Sequence, residues 1–271
     1  MASKRIFADR SLFLPFLQSQ RPGLITDFDG TLSPIVPRHN AAAISRANYT
    51  ALQQVSQHMT LTAVVSGRAA ADVQQRVNLP NITYIGNHGL ETWRDGKAHL
   101  NPQVAGFRPR LAAAANALRS VESVGVKIED KGATIALHYR QAPDPDAAAR
   151  TLQPRARQTA QSFGLELHAG RMVFELRPPL KINKGTALAQ LIAEHQLDAA
   201  IFIGDDITDA SAMYALREMR IAGPCHGVAV AVRTAESPLE VLQAADVCVD
   251  EVAGVAELLL WLAQSRTASL T

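Results

Sequence analysis

The stretch Leu24-Ile25-Thr26-Asp27-Phe28-Asp29-Gly30-Thr31-Leu32 decides how the chain is read: a short apolar run ends abruptly in two aspartates, a glycine and a threonine. Taken as a strand over residues 24–28, its period of two puts Asp27 and Asp29 on one side, and Gly30 lets the backbone turn away beyond them. Two carboxylates in one crevice can divide covalent catalysis, one ionised as nucleophile or metal ligand and the other exchanging protons. Asp-x-Asp-Gly also serves ordinary turns, where Asp and Gly are favoured for backbone reasons alone. The rest of the chain has to decide.

Outward from this stretch, Ser33-Pro34-Ile35-Val36-Pro37 is a proline-punctuated loop placed to cover the aspartates. The apolar spacing then predicts a helix over 41–57, a strand over 61–65 ending in Ser66-Gly67-Arg68, and a helix through residue 77. A third apolar run, 83–86, ends in Asn87-His88-Gly89-Leu90-Glu91. Strands alternating with helices predict an α/β fold, a doubly wound, mostly parallel Rossmann-like sheet whose ligands gather outside the carboxyl ends of the strands. All three polar motifs stand at such ends.

From residue 107 the rhythm changes. A helix over 111–121, strands over 126–129 and 134–139, a helix over 143–163 and a hairpin over 165–176 turning at Ala169-Gly170 predict a small α+β insert. Residues 107–178 are expected to form a cap domain hinged near Gly106 and Pro178-Pro179, between core parts 1–106 and 179–271. The alternation then resumes. Asn183-Lys184-Gly185 opens a helix to about residue 196, and a strand over 199–203 runs into Gly204-Asp205-Asp206-Ile207-Thr208-Asp209. Strands over 228–232 and 245–249 and a helix over 252–264 complete the pattern.

Composition sets bounds. The 271 residues are 47% hydrophobic, enough for a conventional core. Twenty-seven basic against 25 acidic residues leave a net charge of +2, so neither nucleic acid nor an anionic membrane is expected as a partner. Cys225 and Cys248 sit in apolar surroundings without metal-ligand or redox spacing and read as buried thiols of a reducing compartment. The apolar run 252–263 is far shorter than the ~20 residues that span a bilayer. Lys4 and Arg5 before an apolar stretch faintly resemble a signal peptide, but Asp9 and Arg10 interrupt it, and a cytoplasmic enzyme is expected.

Asp27, Asp29, Ser66, Lys184 and the acidic trio Asp205, Asp206 and Asp209 converge on one sheet edge. So many carboxylates with one lysine need a cation to coexist, and few hard oxygen ligands suit Mg²⁺, with a phosphoryl group as the anion. In this order the motifs resemble those of the haloacid-dehalogenase-like (HAD) phosphohydrolases. The resemblance implies Asp27 as nucleophile and Asp29 as general acid/base. It also implies that Ser66 hydrogen-bonds the phosphoryl oxygens, that Lys184 neutralises charge, and that Asp27, the Asp29 carbonyl and Asp205 hold Mg²⁺, with Asp206 and Asp209 behind them.

Asn87-His88-Gly89-Leu90-Glu91, Ile128-Glu129-Asp130-Lys131-Gly132, Leu137-His138-Tyr139-Arg140, Phe174-Glu175-Leu176-Arg177-Pro178 and Asn183-Lys184-Gly185 are together similar to the trehalose-6-phosphate phosphatases. That likeness implies Glu129, Lys131, Arg140 and Glu175 as cap residues facing a phosphorylated disaccharide, and Thr31, Gly67 and Arg68 as further substrate-binding positions. One departure is Thr208-Asp209-Ala210, where the family usually continues with glutamate. His88 and His138 read as hydrogen-bonding groups rather than metal ligands, and Trp93 and Trp261 as packing. The alternatives are another phosphosugar phosphatase, a phosphotransferase, and a noncatalytic phosphosugar-binding module.

Overall fold

A computed structural model describes residues 10–270; Lys4, Arg5 and Asp9 lie outside them. Strands β1 (Pro22–Thr26), β2 (Leu61–Val65), β3 (Ile82–Gly86), β4 (Glu91–Arg94) and β5 (Lys97–Leu100) form one half of an eight-stranded sheet. The chain then makes a four-stranded sheet from β6 (Lys127–Asp130), β7 (Ile135–His138), β8 (Glu166–Gly170) and β9 (Val173–Arg177) before returning with β10 (Ala199–Gly204), β11 (His226–Arg233) and β12 (Val247–Asp250). The large sheet runs β12-β11-β10-β1-β2-β3-β4-β5 and is parallel except for β4 and β5. It is the α/β, mostly parallel arrangement expected.

Helices α1 (Leu14–Gln18), α2 (Arg46–Ser56), α3 (Ala70–Val77) and α4 (Pro102–Ala105) precede α5 (Arg108–Leu118) and α6 (Pro145–Phe163). Helices α7 (Lys184–Glu194), α8 (Ile207–Ala222), α9 (Leu239–Ala244) and α10 (Glu251–Leu270) follow. Period-two alternation splits the strands between two cores. Leu24, Val64, Ile201 and Val230 pack with Leu52 and Val55 of α2 and Leu258 and Leu262 of α10. Ile25, Ala63, Val65 and Phe202 pack on the other face with Leu188 and Leu191 of α7 and Met213 and Leu216 of α8. Burial on both faces is what a parallel sheet requires, and it explains why these strands are apolar throughout.

The second sheet, in order β6-β7-β9-β8, is antiparallel and backed by α5 and α6. Ile135, Leu137, Phe174 and Leu176 point to those helices, so Lys127, Glu129, His138, Glu175 and Arg177 fall on the opposite face. Among the described residues no helix is long and apolar enough to cross a membrane. Cys225 and Cys248 are buried.

Two expectations are corrected and one element is new. The first strand ends at Thr26, not residue 28, because the Phe28 carbonyl accepts from the turn amides of Leu32 and Ser33, both at 2.9 Å, instead of a neighbouring strand. Strand β8 runs through Ala169-Gly170, and the hairpin turns at Arg171-Met172, where Met172 has φ +57°. The β4–β5 hairpin is an element the sequence reading lacks. Its Asp95-Gly96 turn, with φ of +51° and +74°, is the signature of a tight hairpin.

Candidate active site

β1 lies between β10 and β2, so the loops leaving these three strands meet at the carboxyl edge of the sheet. Asp27 follows β1, Ser66 follows β2 and Asp205 follows β10. Asp27 keeps the sheet direction for one more residue through its amide, 2.8 Å from the Ile203 carbonyl. Gly30 then turns the chain with φ +79°, and a Cβ there would overlap the Asp205 carboxylate. Glycine is therefore required both by conformation and by closeness. Thr31, expected to bind substrate, is fully buried instead and donates to Asp205 Oδ1 at 3.1 Å.

Lys184, the first residue of α7, is buried with its Nζ 2.8 Å from Asp27 Oδ1 and 2.6 Å from Asp209 Oδ1. The second oxygen of Asp209 accepts from the amides of Asp205 and Asp206, so it anchors both the lysine and the loop after β10. Asp206 caps α8. Ala210 is buried among apolar side chains of the sheet's second core, which a glutamate would disrupt.

Oxygens of Asp27, Asp205 and Asp209 lie within 4.8 Å of one another. Burial pushes the Asp27 carboxyl up to about 8 against the pull of Lys184. Burial, then the charges of Asp27 and Asp209, push Asp205 well above the usual carboxylate range. Burial opposes charge on Lys184 too, but Asp209 and Asp27 together raise it. One lysine thus under-neutralises three carboxylates, the imbalance a divalent cation would correct. The donor set fits such an ion.

Asp29 faces elsewhere. Its side chain meets Arg68, which also reaches Asp72 at 2.8 Å and the His39 carbonyl at 2.9 Å. Ser66 is buried; its carbonyl accepts from the His88 amide at 2.9 Å, and its hydroxyl oxygen accepts from the Arg68 amide at 3.2 Å. A Cβ on Gly67 would stand 2.7 Å from the His88 ring.

The polar face of the second sheet closes over these loops around a cavity of about 1240 Å³. Asp27, Asp29, Ser66, Gly67, Arg68, Lys184, Asp205 and Asp206 line it from one side, and Glu129, Lys131, Arg140 and Glu175 from the other. Of the expected site residues only Thr31 and Asp209 lie behind its wall. The 33–37 loop lines it as expected, with Val36 offering its carbonyl to Arg140 at 2.9 Å.

Lys131 Nζ donates to the Gly67 carbonyl at 2.9 Å and to Glu175 at 3.1 Å. Burial would raise Glu175, but Lys131, His88 and Arg177 hold it well below the usual range. Burial, reinforced by Arg177, lowers His88 to about 4 despite Glu175 3.3 Å away, so the ring is neutral. Asn87 and His88, both with positive φ, tie the two sheets together. The Asn87 side-chain Nδ2 donates to the Lys131 carbonyl at 3.3 Å, and Thr134 donates to the Asn87 side-chain oxygen at 3.2 Å. Thr134, Arg177, Asp72 and His39 are site residues that sequence reasoning missed. Arg177 stands inside the Phe174-Glu175-Leu176-Arg177-Pro178 motif but has no role assigned there, and Thr134, Asp72 and His39 stand in no motif with recognisable spacing.

The trehalose-phosphatase family model matches residues 25–247. The chain belongs to the trehalose-phosphatase family. It is 41% identical over 222 residues to a trehalose-phosphate phosphatase of Mycobacterium marinum, covering 79% of this chain and 54% of that one. The chain therefore spans about half the length of the curated relatives it matches. The C-terminal domain of Candida albicans trehalose-6-phosphate phosphatase superposes with TM-score 0.78 at 25% identity, over 94% of this chain and 96% of that chain. A haloacid dehalogenase-like hydrolase from Bacteroides thetaiotaomicron shares the fold, with TM-score 0.63 at 16% identity over 89% of this chain and 98% of that chain. The trehalose-phosphatase fold is thus HAD-like, and the family implies a divalent metal.

Proposed function

We propose that the chain hydrolyses trehalose 6-phosphate to trehalose and phosphate, with Asp27 as nucleophile. The observation that carries this reading is Lys184, buried between Asp27 and Asp209 at the floor of a cavity whose opposite wall is polar and basic. An Asp27 oxygen attacks phosphorus, the bond from phosphorus to the sugar oxygen breaks, and Asp29 gives that oxygen a proton. Asp29 then takes a proton from water as the water oxygen attacks the aspartyl-phosphate, releasing phosphate and restoring Asp27. Two moderate barriers replace one high one.

Ser66 donates to the phosphoryl oxygens, and Lys184 offsets charge on Asp27 and the transferring group. Asp27, the Asp29 carbonyl and Asp205 would hold Mg²⁺, which when bound supplies further positive charge to the phosphoryl oxygens. Residues 107–178 act as a cap hinged near Gly106 and Pro178-Pro179. Glu129 and Glu175 accept sugar hydroxyl hydrogens, while Lys131 and Arg140 attract the anion and Arg68, paired with Asp29 and Asp72, lines the phosphate side of the cavity. A reducing, cytoplasmic setting suits the two buried thiols.

A panel of phosphosugars assayed with and without Mg²⁺ tests the proposal. The expected result is Mg²⁺-dependent phosphate release from trehalose 6-phosphate, abolished by Asp27→Asn. Comparable turnover of simple hexose phosphates would overturn the substrate assignment, and wild-type inactivity with retained binding would indicate a binding module instead.

A further inference from the structure

Among the described residues a second group of metal-ligating side chains, sharing no residue with the Asp27, Asp205 and Asp209 group, lines the same cavity. His39 comes from the 3-10 turn His39–Ala41 in the loop above the aspartates, Glu129 from β6 and His138 from β7. The register pairs Glu129 with Ala136 and Lys127 with His138, so Glu129 and His138 are diagonal neighbours on one face of the second sheet. His138 Nε2 is 2.7 Å from a Glu129 carboxylate oxygen, and the rings of His39 and His138 lie 4.9 Å apart. One ligand atom from each of the three residues falls within 4.8 Å of the others.

We infer that His39, Glu129 and His138 form a site for a zinc-class divalent cation, distinct from the carboxylate centre. Two imidazoles and a carboxylate are a donor set that zinc takes in three-ligand sites, leaving a fourth position for water. Bonds of about 2.0–2.1 Å place ligand atoms about 3.3 Å apart in a tetrahedron, so the present spacing closes by side-chain rotation of about 1.5 Å at most. Imidazole favours zinc over magnesium, whereas the oxygen-only centre at Asp27 and Asp205 favours magnesium. The two centres therefore select different ions.

Arg68 opposes the ion, and its Nη1 makes a 3.2 Å hydrogen bond with His39 Nε2 that an ion bound through that nitrogen would displace. That charge is already matched by Asp29 and Asp72, each within hydrogen-bonding distance of the guanidinium. All three ligand side chains are partly exposed, so a hydrated ion has access. Because His39 belongs to the loop over the aspartates and the other two to the second sheet, a bound ion would pin one to the other. It would also occupy Glu129. The corollary, that zinc competes with the disaccharide, rests on the proposed function; the binding itself does not.

The test is a Co²⁺ titration of the full chain in saturating Mg²⁺, followed by visible absorption. The expected result is one equivalent of Co²⁺ giving the intense band of a four- or five-coordinate, nitrogen-ligated ion, displaced by Zn²⁺. The band should vanish in His39→Gln and His138→Gln and persist in Asp205→Asn. His39 lies in a loop, and an unchanged thermal midpoint in His39→Gln separates loss of the site from loss of the fold. No band in the wild type, an undiminished band in both histidine variants, or a band lost only in Asp205→Asn would each overturn the inference. Disaccharide turnover is not the readout, so failure of the phosphatase reading would show separately.

Discussion

Both carboxylate oxygens of Asp29 rest on the Arg68 guanidinium, Oδ2 2.6 Å from Nε and Oδ1 2.8 Å from Nη2. The guanidinium is buried and is held from its other side by Asp72, itself paired with Arg76 at 2.8 Å. The group proposed to move the proton is therefore anchored by a fixed two-pronged partner rather than by a loop in water, and one prong must yield for it to reach the leaving oxygen. Arg68→Ala should lower kcat by about 10²-fold on both trehalose 6-phosphate and a small aryl phosphate, because both need a positioned Asp29. Arg68→Lys should recover little, since an ammonium cannot fork. Steady-state kinetics on the two substrates decide it; an unchanged kcat on the aryl ester would show that Asp29 finds its place without Arg68.

Substitutions on the second sheet should separate the substrates. Glu129→Ala and Arg140→Ala remove charged hydrogen-bonding groups worth about 1.5–3 kcal/mol, which corresponds to about a 10- to 100-fold loss of kcat/KM on the disaccharide. The aryl phosphate, which lacks the sugar, should change about twofold or less. Equal losses on both substrates would assign these residues to closure or folding.

Cation binding should expel protons. Burial lifts Asp27 to about 8 in the folded chain, above its ordinary 3.8. A raised carboxyl contributes stability at low pH that is lost as pH climbs toward 8, because the folded state holds the proton more tightly than the unfolded one. A dication reverses this preference. Mg²⁺ affinity should therefore rise between pH 6 and 8 and level off above, with proton release near pH 7. Titration calorimetry in two buffers of different ionisation enthalpy measures that release, and Asp205→Asn should weaken the binding; equal heats in both buffers would contradict the assignment.

His88 gives the opposite slope within the same pH range. Its folded value near 4 lies below the ordinary 6.5, so the unfolded chain takes up the proton first. Stability is then fully present above about pH 6.5 and declines as pH falls toward 4, by up to about 3 kcal/mol for this buried ring. Because the Asp27 contribution runs the other way across this range, the readout is the difference between wild type and His88→Gln in urea unfolding across pH 4–7, which should shrink as pH falls toward 4. An unchanged slope in the variant would move the titration to another group.

Gly30 and Gly96 make a matched pair for backbone strain. Both have positive φ, +79° and +74°, but a Cβ on Gly96 meets open space whereas one on Gly30 strikes Asp205. Gly96→Ala should cost only the left-handed penalty, about 1–2 kcal/mol, and leave activity intact. Gly30→Ala should cost more and also reduce Mg²⁺ affinity. Denaturant midpoints with parallel Mg²⁺ titrations compare the two.

The sheet was legible because a parallel strand buried on both faces writes itself as a continuous apolar run, and its site residues sit where each run stops. The second sheet was legible for a related reason: its strands alternate, with Ile128, Leu137 and Leu176 beside Glu129, His138 and Glu175. Exact strand ends were not. Phe28 looks like one more core residue, and it is one, yet its carbonyl belongs to a turn. Pairings such as Asp29 with Arg68, 39 residues apart, or Thr134 with Asn87 depend on how loops meet in space, which no local pattern records. Thr31 shows the converse: a motif position that the fold spends on holding Asp205.

The second sheet carries an apolar core of its own, in which Leu111 and Leu118 of α5 and Leu152 and Ala156 of α6 pack on Ile135, Leu137, Phe174 and Leu176. None of those side chains belongs to either core of the large sheet. The face proposed to meet a sugar thus rests on apolar packing separate from that behind Asp27 and Lys184. A change on that face would reach the reaction centre through polar bridges such as Lys131 to Gly67 and Glu175 to His88, not through the packing of either core.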